Sequence, residues 1–254
     1  MITVGVDLAT QPARTGLAVV EWSPGRARVA HLALGATDAD VVAAAGAPAD
    51  KVGIDCPLGW PDEFTAFVAA HTAGRLAQHV DTGPGADGEE LRRRVAYRHT
   101  DRVLRRAGYV PLSVSTDRIG LTAVRAAVLL ERLAAAGVPV DRSGTGVVAE
   151  VYPAASLHRW GLAHRGYKGR EGASARAALV AGLLARTPWL DVGAHRALCE
   201  ASDDALDALV AALAARAAAL GRCASPAPGE VERARREGWI VLPEGQVGDL
   251  VDPA

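Results

Sequence analysis

The chain opens on alternating apolar and polar positions. "ITVGVDLA", from residue 2, alternates around β-branched residues and predicts a strand almost at the start. "QPAR" reads as a turn, "TGLAVVEW" as a second strand, "SPGR" as a turn and "ARVAHLALG" as a third strand. Short turns between the three predict an antiparallel meander. "TDADVVAAAG" predicts a short helix with Thr37 as N-cap. "KVGIDCPLGWP" gives a fourth strand, stopped by Pro57 and Pro61.

Beyond residue 62 the period changes. Residues 62–140 are helix-rich and irregular. "DTGPGADGEE" reads as a flexible loop, "ELRRRVAYRHTDRVLRRAG" as one helix closed by Gly108, and "LTAVRAAVLLERLAAAG" as an amphipathic helix closed by Gly137. "GVVAEVYPA" predicts a fifth strand ended by Pro153, followed by helices near 173–186 and 202–220. "RCASPAPGE" is a linker, "EVERARREG" a short helix and "WIVLP" a last strand, with a frayed acidic tail from Glu244. Three strands, a helix and a fourth strand open a ribonuclease H-like fold, and other mixed α/β folds share that opening. The expectation is one domain over residues 1–254: a mixed five-stranded sheet flanked by helices, a helical insertion at about 62–140 between strands 4 and 5, and a C-terminal extension at about 222–254.

Composition narrows the classes. The chain has 254 residues and a net charge of −1, which gives no overall attraction to nucleic acid or anionic membrane. Its apolar runs fall short of the roughly 20 residues a membrane helix needs, and no basic stretch precedes an apolar run as in a signal peptide. A soluble, cytoplasmic protein is expected. Cys56, Cys199 and Cys223 lie far apart without a Cys-x-x-Cys pair, so free thiols are expected instead of a zinc site or disulfides. No Gly-x-Ser-x-Gly elbow, His-Glu-x-x-His or Gly-x-Gly-x-x-Gly occurs.

The carboxylates carry the chemistry. Asp7 and Asp55 each fall near the C-terminal end of an apolar strand, where desolvation disfavours a charge. One such Asp is explained by bonds to the following turn; two invoke the tendency of ligands to gather beyond the carboxyl ends of parallel strands. In "SDDALDALVAAL", Ser202 is a good N-cap, and Asp203 and Asp204 suit the helix dipole. Asp207 lies beyond the first turn, beside the stripe of Leu206, Leu209, Val210 and Leu213 expected to be buried. At 100° per residue it is about 40° from Asp203 and about 60° from Asp204. If this helix packs beside strands one and four, Asp7, Asp55 and Asp207 converge with Asp204 or Asp203 as a fourth. Hard oxygen ligands in that number suit Mg²⁺ or Mn²⁺.

"GVDLA", "GIDCPLGWP", "YRHTDR", "EVYPAA", "YKG" and "SDDALDALVAAL", in that order from Gly5 to about Pro243, resemble the domain-of-unknown-function family 429. The resemblance implies a ribonuclease H-like fold and a predicted nuclease activity. The last motif also resembles the Asp-x-x-Asp-Ala-Leu helix of bacterial Holliday-junction resolvases, which implies Asp204 and Asp207 as metal-binding acids; those resolvases carry Glu where this chain has Asp55. The metal and catalytic set expected is therefore Asp7, Asp55, Asp204 and Asp207.

Glu150 is expected either beside the metal or as a satisfied edge-strand acid. Lys168 is one of two lysines among 28 basic residues, the other being Lys51, and reads either as a phosphate contact or as a plain loop lysine. Arg98 and Asp101 of "RHTD" are candidates for substrate binding. Arg94, Arg98, Arg102 and Arg105 or Arg106 recur at helical spacing as a basic stripe, suited to solvent or to a phosphate backbone. The function expected is divalent-metal-dependent hydrolysis of phosphodiester bonds in nucleic acid, DNA or RNA. An actin-like-clan phosphotransferase or ATPase and a non-catalytic nucleic-acid-binding protein are the alternatives.

Overall fold

The computed structural model describes residues 1–46, 49–78 and 88–251. The meander forms as the pattern predicts: β1 (Ile2–Asp7), β2 (Gly16–Ser23) and β3 (Arg26–Leu34) pair antiparallel in sequence. Helix α1 (Asp38–Gly46) follows, its Asp40 N–H donating to Thr37 Oγ1 at 3.3 Å. β4 (Lys51–Asp55) then lies parallel to β1 on the side away from β2.

Among the described residues four α-helices separate β4 from the next strand: α2 (Asp62–Thr72), α3 (Glu89–Ala96), α4 (His99–Arg106) and α5 (Ile119–Ala135). Most of the predicted loop "DTGPGADGEE", residues 81–87, lies outside the described residues. The single helix predicted across 90–108 is two helices. Arg98 has extended backbone (φ −63°, ψ 166°), and its N–H donates to Asp101 at 2.9 Å, so Arg98 starts α4 instead of continuing α3.

β5 (Val148–Glu150) pairs parallel with β4, and α6 (Pro153–Arg159) and α7 (Ala173–Arg186) follow. β6 (Leu190–Asp191) adds itself parallel to β3. The sheet therefore has six strands in the order β5-β4-β1-β2-β3-β6, one more than the pattern predicts. A two-residue strand carries no readable alternation. "WIVLP" does not extend the sheet as a sixth ladder: Ile240 makes an isolated bridge to Glu150, and Pro243 another to Cys223.

Helices α8 (Arg196–Ala201), α9 (Asp203–Ala219) and α10 (Val231–Glu237) complete the chain. The tail is not frayed over its described part. Val247 and Leu250 are buried, Arg216 Nε donates to Leu250 O at 2.9 Å and Trp189 Nε1 to Gly248 O at 3.1 Å; residues 252–254 lie outside the described residues. All three cysteines are free. Among the described residues no helix is long and apolar enough to cross a membrane.

The sheet separates two cores. Val4, Val6, Val52 and Ile54 face α1 and α5, whereas Ala18, Val20 and Trp22 face α9. Side chains alternate along a strand, so Gly5 and Asp7 of β1, and Gly53 and Asp55 of β4, are all on the α9 face. Helix α9 is buried all round from Ala205 to Ala217. What it lays on the sheet is its small residues: a Cβ on Gly5 would stand 2.0 Å from Ala208 O, one on Gly53 2.6 Å from Ala211 O, and one on Gly16 2.3 Å from Asp204 O. The stripe of Leu206, Leu209, Val210 and Leu213 is buried as expected, but against the glycines the helix presents alanines, whose small side chains let two backbones come this close.

Candidate metal centre

The convergence of acids follows from that packing. Gly5 pairs with Gly53 and Asp7 with Asp55 in the β1–β4 register, so two Gly-x-Asp segments run side by side. The glycine row admits α9, and the aspartate row one pleat further on meets Asp207, the residue before Ala208. Asp7, Asp55 and Asp207 each offer a carboxylate oxygen, and the three lie within 4.8 Å of one another.

Charge at this site is expensive. Burial pushes the Asp7 carboxyl well above the usual range, and the neighbouring charges of Asp55 and Asp207 push it further. Burial likewise drives Asp55 up to about 7, with Lys168 opposing and Asp207 and Glu150 adding. Asp207 is 1% exposed and is also raised by burial, against the pull of Lys168 and Tyr167. The Tyr167 hydroxyl donates to Asp207 Oδ1 at 2.7 Å, and the Lys168 ammonium forms an ion pair with Oδ2 at 2.7 Å. Tyr167 was not picked out by sequence reasoning; its place beside Lys168 in "GYKGR" was the available signal.

Although its charge still reaches Asp7, Asp204 is not among the three acids that meet within 4.8 Å. Arg14 grips it with two hydrogen bonds, Nη2 to Oδ1 at 3.0 Å and Nε to Oδ2 at 3.2 Å, a pairing no sequence pattern announced. Asp203 lies 3.8 Å from the buried Arg176, and Ser202 Oγ accepts from Ala205 N–H at 3.2 Å as the N-cap.

Glu150, Arg98 and Asp101 form a separate buried network beside the carboxylates. Arg98, 1% exposed, uses its whole guanidinium: Nε and Nη2 donate to Asp101 at 3.0 and 2.9 Å, Nη1 and Nη2 to Glu150 at 2.6 and 2.7 Å, and Nη1 also to Glu237 O at 3.2 Å. Glu150 Oε2 further accepts the Leu58 N–H at 3.0 Å, tying down the turn that follows Asp55. Its carboxyl is raised by burial, which outweighs the pull of Arg98. With Arg98 buried and Arg102 turned back to the Tyr97 carbonyl at 2.6 Å, the predicted basic stripe does not exist as a surface. The helix break at Tyr97 and Arg98 removes the continuous spacing on which it depended. Lys51, the other lysine, is buried under the loop carbonyls of Gly144 and Gly146.

A cavity of about 340 Å³ opens on the acids. Asp7, Asp55 and Lys168 line it together with Tyr152 and the apolar Leu8, Pro57 and Leu112. Three oxygen donors this close, with no sulfur or imidazole among them, fit a hard divalent ion such as Mg²⁺ or Mn²⁺.

The model of the family described as "Protein of unknown function (DUF429)" matches residues 5–233. The comparisons with curated proteins and with solved structures give no match.

Proposed function

For this chain, which belongs to the DUF429 family, we propose a ribonuclease H-like fold and a divalent-metal-dependent nuclease activity that hydrolyses phosphodiester bonds in nucleic acid. The strand order supports the fold: an antiparallel meander β1-β2-β3, with β4 and β5 added parallel to β1 on its other side. One observation carries the activity, the meeting of Asp7, Asp55 and Asp207 within 4.8 Å at the carboxyl ends of two parallel strands. Three carboxylates this close repel one another, and capping does not account for Asp207, which lies beyond the first turn of α9.

Asp7, Asp55 and Asp207 would hold Mg²⁺ or Mn²⁺. When bound, such an ion supplies an acidified water as nucleophile and charge to stabilise the leaving oxygen. The chain supplies the rest. Lys168, which lines the same cavity, holds the phosphate by charge, and Tyr167 fixes the orientation of Asp207. Arg98 and Asp101, acting through Glu150, position the turn after Asp55. The apolar Leu8, Pro57 and Leu112 of the cavity suit the face of a base.

The test is cleavage of labelled single- and double-stranded DNA and RNA oligonucleotides in Mg²⁺ and in Mn²⁺. Wild type is expected to cut at least one of them, and Asp7→Asn and Asp55→Asn to lose that activity with folding unchanged. No cleavage of any of these substrates by wild type in either metal overturns the proposal.

A further inference from the structure

We propose that Lys168 takes the place of a second divalent cation, so that the centre of Asp7, Asp55 and Asp207 holds a single Mg²⁺ or Mn²⁺ ion. The inference rests on the metal-dependent reading above and specifies its cation count.

Asp207 already has a cation beside it. Oδ1 accepts the Tyr167 hydroxyl and Oδ2 faces the Lys168 ammonium, each at 2.7 Å. A second ion beside Oδ2 would have to displace the ammonium, whereas no cationic side chain pairs with Asp7 or Asp55 among the described residues.

Lys168 is not a loosely tethered surface lysine. It is held between Gly166 (φ +75°) and Gly169 (φ +70°), left-handed positions that bend the loop sharply around it. The buried Arg176 of α7 donates to Tyr167 O at 2.7 Å and to Gly169 O at 3.0 Å, gripping the loop on both sides of the lysine. Gly172 closes the loop so tightly that a Cβ there would stand 2.6 Å from Lys168 O. Tyr167, 1% exposed, anchors the neighbouring position in the core. Three features therefore converge to fix one ammonium over Asp207: two glycines, a buried arginine and a buried tyrosine.

Charge agrees with the geometry. Three carboxylates are matched by one divalent ion and one ammonium, while two divalent ions beside the same lysine would leave the centre cationic before any substrate arrived. The lysine side chain is 56% exposed and lines the cavity, so it remains within reach of a phosphate.

Mn²⁺ binding to the full chain, followed by titration calorimetry and by electron paramagnetic resonance, tests the cation count. Wild type is expected to bind one Mn²⁺ per chain without manganese–manganese coupling. Lys168→Ala is expected to take up a second, spin-coupled Mn²⁺, and Lys168→Arg, which keeps the charge, to stay at one. Two Mn²⁺ ions in wild type, or one in a folded Lys168→Ala, would overturn the inference and leave the metal-dependent reading standing. No Mn²⁺ bound by wild type would overturn that reading itself. Should Lys168→Ala fail to fold, the wild-type stoichiometry and the coupling signal still decide.

Discussion

Replacing Gly5 by alanine tests how the carboxylates are brought together. The added Cβ would lie 2.0 Å from Ala208 O and 2.2 Å from Ala212 N, both backbone atoms of α9. A rotamer change cannot relieve either contact. The helix must move off the sheet by about 1 Å or more to restore an ordinary separation, or β1 must sink into the opposite core. Overpacking of a filled core costs about 1–3 kcal/mol, and two rigid backbone contacts put Gly5→Ala at the upper end of that range. At about 2–4 °C per kcal/mol for a chain of this size, the midpoint of thermal unfolding falls by about 6–12 °C. Because Asp207 precedes Ala208, the same displacement draws its carboxylate away from Asp7 and Asp55 and weakens Mn²⁺ binding. Gly46→Ala is the control, since nothing lies within 4 Å of a Cβ there. Urea unfolding and Mn²⁺ calorimetry on both variants provide the readouts. A Gly5→Ala protein as stable as Gly46→Ala, binding Mn²⁺ like wild type, would refute the close-packing account.

Three further outcomes follow from the site. In EDTA burial raises the proton affinity of Asp7, Asp55 and Asp207 in the folded chain, that of Asp55 to about 7, whereas an unfolded Asp releases its proton near pH 4. The folded state thus binds more protons between about pH 4 and 7, so the stability due to these groups is greatest at the acid end and falls as pH rises through that window. Saturating Mg²⁺, which binds the ionised form, removes the loss, and Asp55→Asn shows a smaller one; melting curves at pH 5 and pH 8 with and without Mg²⁺ check this, and a Mg²⁺ effect equal at both pH values contradicts it. Arg98→Met leaves Asp101 and Glu150 buried without their shared cation and should cost about 3–5 kcal/mol in urea unfolding, with Arg98→Lys not restoring it because an ammonium cannot reproduce the forked contacts. Arg14→Ala removes an exposed pair with Asp204 and should change stability by less than about 1 kcal/mol; a larger loss would mean that Asp204 depends on Arg14 for more than an ion pair at the surface.

Much of the fold is written in local patterns. The meander, β4, α5, α7 and α9 follow from alternation, helical periodicity and caps such as Thr37 and Ser202. Asp7 and Asp55 stand out because a charge at the end of a buried strand conflicts with its surroundings. What local patterns do not carry is partnership across the chain. Nothing near Asp204 in sequence announces Arg14, and nothing in "RHTD" shows that Arg98 is buried between Asp101 and Glu150. The alanine face of α9 has little contrast with the rest of that helix, so its leucines draw attention first. Its meaning lies in Gly5, Gly16 and Gly53 on three other strands. In retrospect the repeated Gly-x-Asp of "GVD" and "GID" held the relevant clue: glycine for the helix to approach, aspartate one pleat beyond to receive what the helix brings.

The central claim is that Asp7, Asp55 and Asp207 form a divalent-cation site, and calorimetric titration of the metal-free protein with Mn²⁺ at pH 8 tests it most directly. Saturable binding by wild type, weakened at least about tenfold in Asp7→Asn and Asp55→Asn with circular dichroism unchanged, is the predicted result. Wild type that takes up no Mn²⁺, or folded variants that bind it as tightly as wild type, would contradict the account.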